Sequence, residues 1–200
     1  MRVSLNEART LATKAAAGSG LPPGTADEIG HAAAWLAAVG EDGAGAVAAG
    51  LSGSRLSDGA RTVSSGPGIV DLLLSTAPET ALSVEAADAP ALLVGLIGQA
   101  LAREPVPAMV TVSTATGASL RIRGDGVSAS PGVLGTAQDA PSLTLVLAPA
   151  KAASPRAATT GVTVDPAAWR TLAALAARTL VPADAPSRFR GAGAGDIDNE

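Results

Sequence analysis

The sequence predicts an α+β fold, and three observations support that prediction. Two capping-box patterns, Ser4 with Glu7 and Thr25 with Glu28, open amphipathic segments near the N-terminus. Residues 108–113 and 119–123 instead alternate apolar and polar side chains, the period of half-buried strands. Asp165 and Pro166 are typical of an N-cap and first helical residue, and they open another helix late in the chain. We therefore expect helices packed on an antiparallel sheet of about four to six short strands.

The N-terminal quarter predicts an αα-hairpin. A first helix should cover residues 5–17 and end at the glycines that follow it, and a second should run over 25–39. The turn between them contains two prolines and a glycine, and such short connections join antiparallel helices. A short third helix is expected over 44–51.

The rest of the chain predicts helix and sheet in alternation. The apolar run 69–75 favours a helix, and residues 81–84 favour a short strand. Asp88 is expected to cap a helix that has Pro90 in its first turn and ends near residue 103. Strands over 108–113, 119–123, 127–130 and 142–147 are separated by glycine-containing turns, which predicts a meander. A brief strand over 162–164 then leads into the last helix, expected to end near residue 180.

These elements suggest one compact unit with internal divisions. We expect a helical hairpin over residues 1–51 and a flexible Gly/Ser-rich connection over 52–68. An α+β body over 69–186 and a Gly-rich acidic tail over 187–200 should follow.

Composition excludes several kinds of site. The 200 residues include 46 alanines, no cysteine, no tyrosine and one histidine, and the net charge is −4. Disulfides, thiolate catalysis, cysteine-based zinc sites and tyrosine acid–base chemistry are therefore excluded. An acidic chain with few clustered lysines and arginines also argues against nucleic-acid binding. No cofactor motif is present, so we expect no cofactor.

The sequence predicts a cytoplasmic, non-membrane protein. The N-terminus shows no apolar signal-peptide core, and the longest strongly apolar run, residues 89–98, is shorter than the ~20 residues of a membrane span. The absence of cysteine fits a reducing compartment. The high content of alanine, glycine, proline and arginine is typical of a GC-rich bacterial genome.

The tail carries the candidate ligand site. Alternating glycines can turn several backbone N–H groups toward one anion, and arginine can bind a carboxylate or phosphate in bidentate fashion. We expect a small anionic ligand there, although a glycine-rich chain end that binds nothing is the simpler interpretation. The candidate residues are Ser187, Arg188, Arg190, Gly191, Gly193 and Gly195.

Other candidate groups have simpler structural interpretations. Asp196, Asp198 and Glu200 could bind a divalent cation, but alternating acids at a chain end are usually solvated. His31 lacks the motif that would accompany a catalytic triad and is expected to be structural or exposed. Arg121 and Arg123 should lie on the outer face of a strand.

The large aromatic residues are expected to pack rather than bind. Trp35 and Trp169 should fill volume in an alanine-rich core, and Phe189 lies in the tail. Ligand stacking remains the alternative for all three side chains.

Both ends of the chain resemble an uncharacterised bacterial family known as a domain of unknown function. The resemblance lies in the opening MRVSLNE, in RTLVPADAPSR over residues 178–188, in GAGAG over 191–195, and in Asp198 with Asn199. It extends over nearly the full length and implies no established activity.

The first 50 residues also resemble the N-terminal helices of type-2 malate/lactate dehydrogenases. A helix, a Gly-Leu-Pro turn, an acidic second helix and a Gly-rich exit occur in the same order. That family carries a His-Asp-Ser-His-Gly segment at the exit, where this chain has EDGAG over residues 41–45. Both histidines are absent, so no catalytic role carries over.

Two functions follow as expectations. The first is a non-enzymatic or accessory protein that binds a small anionic metabolite or a partner protein and that forms oligomers through its alanine-rich helices. The alternative is a small lyase or isomerase that acts on a carboxylate metabolite. It would use Arg188 and Arg190 as a clamp and Asp196 or Asp198 as the base.

Overall fold

The computed structural model describes residues 1–52, 61–85, 87–135, 141–151 and 161–179. Within these ranges the α-helices are α1 (Leu5–Gly18), α2 (Pro23–Ala38), α3 (Gly43–Ser52), α4 (Thr62–Ser75), α5 (Pro90–Leu101) and α6 (Pro166–Ala176). The strands are β1 (Arg2–Val3), β2 (Ala81–Val84), β3 (Ala108–Thr114), β4 (Ser119–Arg123), β5 (Gly126–Val127), β6 (Leu143–Pro149) and β7 (Val162–Thr163). Short 3₁₀ helices cover Pro131–Leu134 and Ala177–Thr179. The predicted α+β class is confirmed.

The main sheet is antiparallel, with strand order β2-β6-β3-β4-β5. Strands β3, β4 and β5 form the expected meander. The full meander prediction is wrong, because β6 lies between β2 and β3. Apolar pairing explains this order: Val110 of β3 faces Ile122 of β4 on one side and Leu147 of β6 on the other. A separate two-stranded ribbon joins β1 to β7, a pairing that so short an N-terminal segment does not reveal in the sequence.

Helix α5 forms the centre of the molecule. Its side chains are buried nearly all round, and it contacts α2, α3 and α4 as well as β3 and β4. Buried Val112, Leu120 and Ile122 line the covered face of the sheet. A helix that is hydrophobic on all sides is stable only when other elements cover every side of it. Residues at the two ends of α5 therefore lie close to several helices and strands.

The predicted αα-hairpin is confirmed, and small residues bring its two helices together. Ala12, Ala15 and Ala16 of α1 are completely buried. On α2, a Cβ at Gly30 would collide with the Thr13 side chain and the Arg9 carbonyl of α1. The alanine content therefore serves close helix contact, not bulk core volume.

One predicted helix start and one predicted N-cap are wrong, although α5 begins at Pro90 as expected. Helix α2 begins at Pro23 with Pro22 as its N-cap residue, so the Thr25 pattern lies inside the helix. The fixed φ of proline suits the first helical position, which explains the earlier start. The N-cap residue of α5 is Ala89, and Asp88 binds another element instead.

Part of the predicted flexible connection over residues 52–68 is helical, because residues 62–68 belong to α4. Helix α4 begins at Thr62, and residues 53–60 lie outside the described ranges. The backbone N–H of Thr62 donates to the Asp88 carboxylate, a long-range contact that sequence periodicity cannot show. The proposed division into four segments remains a prediction.

Other predicted elements agree closely with the structure. The short helix expected over 44–51 corresponds to α3, and the strand expected over 81–84 corresponds to β2. Asp165 caps α6 as expected by accepting from the Ala168 N–H at 2.9 Å. None of the helices in the described ranges has the length and apolar character needed to cross a membrane.

Candidate functional site

A cleft of about 290 Å³ lies between α3, the N-terminal end of α5 and the 3₁₀ helix Pro131–Leu134. We call it the α3–α5 cleft. Most of its lining is small or apolar, including Leu36, Ala46, Ala49, Leu92 and Pro131. Glycine and alanine on α3 leave room between the helices that larger side chains would fill. A concave, mostly apolar surface with a few polar groups is the usual form of a small-molecule site.

Asp88 lies in the lining of this cleft and is almost completely buried. Its Oδ1 accepts from the Thr62 N–H at 2.8 Å and from the Thr62 hydroxyl at 2.6 Å. The carboxylate thus caps α4 from a residue that is distant in sequence. A negative charge at a helix N-terminus is favourable, because it satisfies free N–H groups and opposes the helix dipole.

Arg61, whose side chain is partly exposed, completes a network around the buried Asp88. The Arg61 Nε lies 3.8 Å from Asp88 Oδ2, and its guanidinium also donates to the Gly50 carbonyl of α3. Neither Nε nor Oδ2 has a hydrogen-bond partner within the described part of the chain. The network ties the end of α3 to the starts of α4 and α5, so it fixes one side of the cleft.

The N-terminal end of α5 presents backbone donors beside the cleft. Its first residue, Pro90, has no N–H, and the N-cap residue Ala89 offers no side-chain cap. Among the residues that the structure describes, no acceptor is found for the N–H groups of Ala91 and Leu92, which both line the cleft. Free N–H groups in a helical first turn can bind a ligand oxygen.

The charged groups in the lining of the cleft are acidic. Glu41 accepts from the Ser130 hydroxyl at 2.9 Å, and Asp42 accepts from the Gly45 N–H at 2.8 Å. Asp88 is the third carboxylate, and within the described ranges no lysine, arginine or histidine lines the cleft. Because Asp88 is already paired with Arg61, Glu41 and Asp42 are the carboxylates that would favour a positively charged group over an anion.

The predicted tail site lies outside the described residues. This applies to Ser187, Arg188, Arg190, Gly191, Gly193 and Gly195, and also to Phe189, Asp196, Asp198 and Glu200. A small anionic ligand at the tail therefore stays a prediction.

The groups that form the α3–α5 cleft are not apparent in the sequence. Asp88 fits the pattern of a local helix cap, and Glu41 with Asp42 fits only the dehydrogenase-like exit. The one sequence signal was an acidic residue directly before a strongly apolar helix, and that signal also fits an ordinary cap.

His31 lies away from the cleft, on α2. Its Nε2 is 3.5 Å from an Arg9 guanidinium nitrogen. Partial burial, followed by the positive charges of Arg103 and Arg9, lowers the pKa of His31 from its usual 6.5. A half-buried imidazole that contacts Arg9 and has a lowered pKa fits a structural role.

The arginine pair on β4 separates into two environments. Arg121 is exposed, as expected. Arg123 is half-buried, pairs with Asp125 at 3.3 Å and donates to the Lys151 carbonyl at 3.2 Å. Neither arginine lines the cleft.

The two tryptophans contact the core. Trp35 is buried and donates from its indole N–H to the Gly124 carbonyl at 2.8 Å. Trp169 is half-buried against the core. The described part of the chain contains no group of three or more acidic or histidine side chains arranged to hold a metal ion.

Comparison with known proteins gives one partial match. Residues 3–78 are similar to a family described as a protein of unknown function (DUF3726). The matched region covers less than half of the chain; it contains α1 to α4 with Glu41, Asp42 and Arg61, but not Asp88. No curated protein and no solved structure matches the chain. The resemblance to malate/lactate dehydrogenases and the bacterial origin therefore stay predictions.

Proposed function

We propose that this protein is a non-enzymatic binding protein whose α3–α5 cleft takes a small ligand with an apolar body and a positively charged amine. The observation that supports this most directly is the lining of the cleft, which combines small apolar residues with the carboxyl groups of Glu41, Asp42 and Asp88. An apolar body would be removed from water against Leu36 and Leu92, at roughly 25 cal/mol per Å² of buried surface.

The polar contacts suggest how the ligand would be oriented. An ammonium group would approach Glu41 and Asp42 at the rim, where both carboxylates retain accepting capacity beyond their single hydrogen bonds. A hydroxyl or carbonyl oxygen on the same ligand would accept from the free N–H groups at the start of α5.

Hexylamine, hexanol and hexanoate separate charge from apolar contact, because all three carry an unbranched alkyl chain of five or six carbons and differ in the charge of the head group. We expect hexylamine to raise the melting temperature and to bind more tightly than hexanol, with hexanoate weakest. Glu41→Gln should weaken hexylamine binding by about tenfold, because it removes one charge-assisted contact. Asp42 is unsuitable for this variant since it also supports the start of α3.

The matched control is Glu85→Gln, which neutralises an exposed carboxylate that does not line the cleft. This variant should bind hexylamine as the wild type does. Equal binding of hexanoate and hexylamine, or an unchanged affinity in Glu41→Gln, would contradict the proposal.

The remaining expectations extend this proposal. The absence of cysteine supports a cytoplasmic location, and alanine-rich helices support assembly with a second copy or a partner protein. The enzymatic alternative, with an arginine clamp and a carboxylate base, concerns tail residues outside the described ranges and stays a prediction.

A further inference from the structure

A second pocket of about 200 Å³ lies between α2, α4 and the C-terminal end of α5. We call it the polar pocket. Its charged groups are Glu28 from α2, Asp71 from α4, and Arg103 and Glu104 just after α5. The apolar side chains Val70, Leu74 and Leu96 complete one wall. It is separate from the α3–α5 cleft, since the two share no lining residue.

Gln99 gives the polar pocket a buried polar atom that lacks a hydrogen-bond partner among the described residues, which an ordinary surface depression would not have. The residue is only 8% exposed, and it lines the pocket. Its Oε1 is buried and has no hydrogen-bond partner in the described part of the chain. A buried amide oxygen without a hydrogen-bond partner destabilises the folded state, and a ligand that carries a donor would remove that penalty.

The charges in the polar pocket are not neutralised by direct contact. Within the described ranges, neither Glu28, Asp71 nor Arg103 forms an ion pair within 4.0 Å or a side-chain hydrogen bond. They are nevertheless close enough to affect one another. Burial and then the negative charge of Asp71 raise the pKa of Glu28, and Arg103 acts in the opposite direction. His31 also experiences the charge of Arg103.

From this arrangement we propose that the polar pocket binds a small aliphatic amino acid or a similar zwitterion. The guanidinium of Arg103 binds the ligand carboxylate, in the bidentate manner for which arginine is suited. The ammonium group lies between the carboxyl groups of Glu28 and Asp71 and donates to Gln99 Oε1. A short aliphatic side chain packs against Val70 and Leu74.

Neither an isolated anion nor an isolated cation satisfies all of these groups. A simple carboxylate would leave Gln99 Oε1 unpartnered and would face two carboxyl groups. A simple amine would leave the Arg103 guanidinium without an anion. A metal ion is a poor occupant, because no cluster of three suitable ligands exists among the described residues. The zwitterion proposal does not depend on the α3–α5 cleft.

The test is a ¹H–¹⁵N NMR titration of the full chain with L-valine, isovalerate and isobutylamine. Isovalerate lacks the ammonium group of valine and isobutylamine lacks its carboxylate, so the three probes share one branched alkyl group. We expect L-valine to shift the Gln99 side-chain amide and the backbone amides around Arg103, and to bind at least about tenfold more tightly than either partial probe.

Variants assign the contacts. Arg103→Ala should weaken L-valine binding by about tenfold or more, the loss expected for a charge-assisted hydrogen bond. Asp71→Asn should also weaken it, through the ammonium end of the ligand. Both side chains are exposed, so both variants should fold. Arg170→Ala, which removes an exposed arginine from α6, is the matched control and should bind normally.

Three results would overturn the proposal. The first is the absence of any L-valine shift at tens of millimolar. The second is equal binding of isovalerate or isobutylamine, which would assign the pocket to a simple anion or a simple cation. The third is wild-type affinity for L-valine in both Arg103→Ala and Asp71→Asn. Each is independent of hexylamine binding in the α3–α5 cleft.

Discussion

At the scale of single residues, the most consequential group is the Asp88 carboxylate. Its side chain is only 6% exposed, and it accepts hydrogen bonds from Thr62 and forms an ion pair with Arg61. Burying a charge is costly unless hydrogen bonds and an opposite charge compensate it. The stability of three helix ends therefore depends on one side chain that the sequence marks only as a local cap.

Replacing Asp88 tests this dependence. Asp88→Ala should lower the free energy of unfolding by about 3 kcal/mol, because it leaves the Thr62 donors and the Arg61 charge without their partner. The measurement is urea denaturation followed by circular dichroism. Asp27→Ala, which removes an exposed carboxylate from α2, should change stability by less than about 0.5 kcal/mol. Equal losses of unfolding free energy in Asp88→Ala and Asp27→Ala would show that Asp88 contributes no more to stability than an exposed carboxylate does.

At the scale of elements, close packing through small residues determines how the helices meet. Gly98 of α5 lies against the Trp35 ring of α2, and Gly95 lies against Leu36 and the Ala32 carbonyl. The largest side chain of α2, Trp35, thus fits against α5 because glycine has no side chain at the point of contact. The sequence shows two glycines in an apolar helix, but their purpose depends on which helix lies opposite.

A methyl group at Gly98 should reveal this dependence. Its Cβ would overlap the Trp35 ring, so Gly98→Ala should destabilise the protein by about 1–3 kcal/mol. The loss should exceed the gain of roughly 1 kcal/mol in helix propensity that alanine brings. Thermal denaturation measures the net change in stability, and the tryptophan fluorescence should change as the ring moves.

Gly68→Ala on α4 is the matched control, because its Cβ would meet no atom within 4 Å. That variant should be as stable as the wild type or more stable. If Gly98→Ala were as stable as Gly68→Ala, the close contact between Gly98 and the Trp35 ring would not be needed for stability.

At the scale of the whole molecule, the pH dependence of stability reflects electrostatic interactions between charged groups of α1, α2 and the segment just after α5. His31 lies near Arg9 and Arg103, with Asp27 acting in the opposite direction, and its pKa is lowered from 6.5. As pH falls below 6.5, the unfolded chain binds a proton at His31 before the folded protein does. Proton binding to the unfolded state then reduces stability.

The expected outcome is a loss of stability between pH 6.5 and the lower pKa of folded His31. His31→Gln should show a shallower loss over this window, while above pH 6.5 the histidine contributes no slope. Melting temperatures on both sides of 6.5 measure the difference. Glu28 contributes a slope of opposite sign at lower pH, because its raised pKa means that protonation favours the folded state. Identical pH profiles for wild type and His31→Gln would contradict the lowered pKa.

The sequence by itself determined the local elements. The Ser4–Glu7 capping box, the Asp165–Pro166 helix start and the alternation over residues 119–123 each depend on neighbours in the chain, and each is found in the structure. Local hydrogen bonding and side-chain periodicity are readable from sequence because their partners are a few residues apart.

Tertiary structure alone decided which elements meet, and therefore where the candidate sites lie. The placement of β6 beside β3, the binding of Thr62 to Asp88, and the convergence of Glu28, Asp71 and Arg103 all join distant parts of the chain. Such contacts depend on the packing of a buried helix, α5, against several elements at once. Periodicity reports that α5 is apolar, but it does not report what surrounds its two ends, and both pockets lie there.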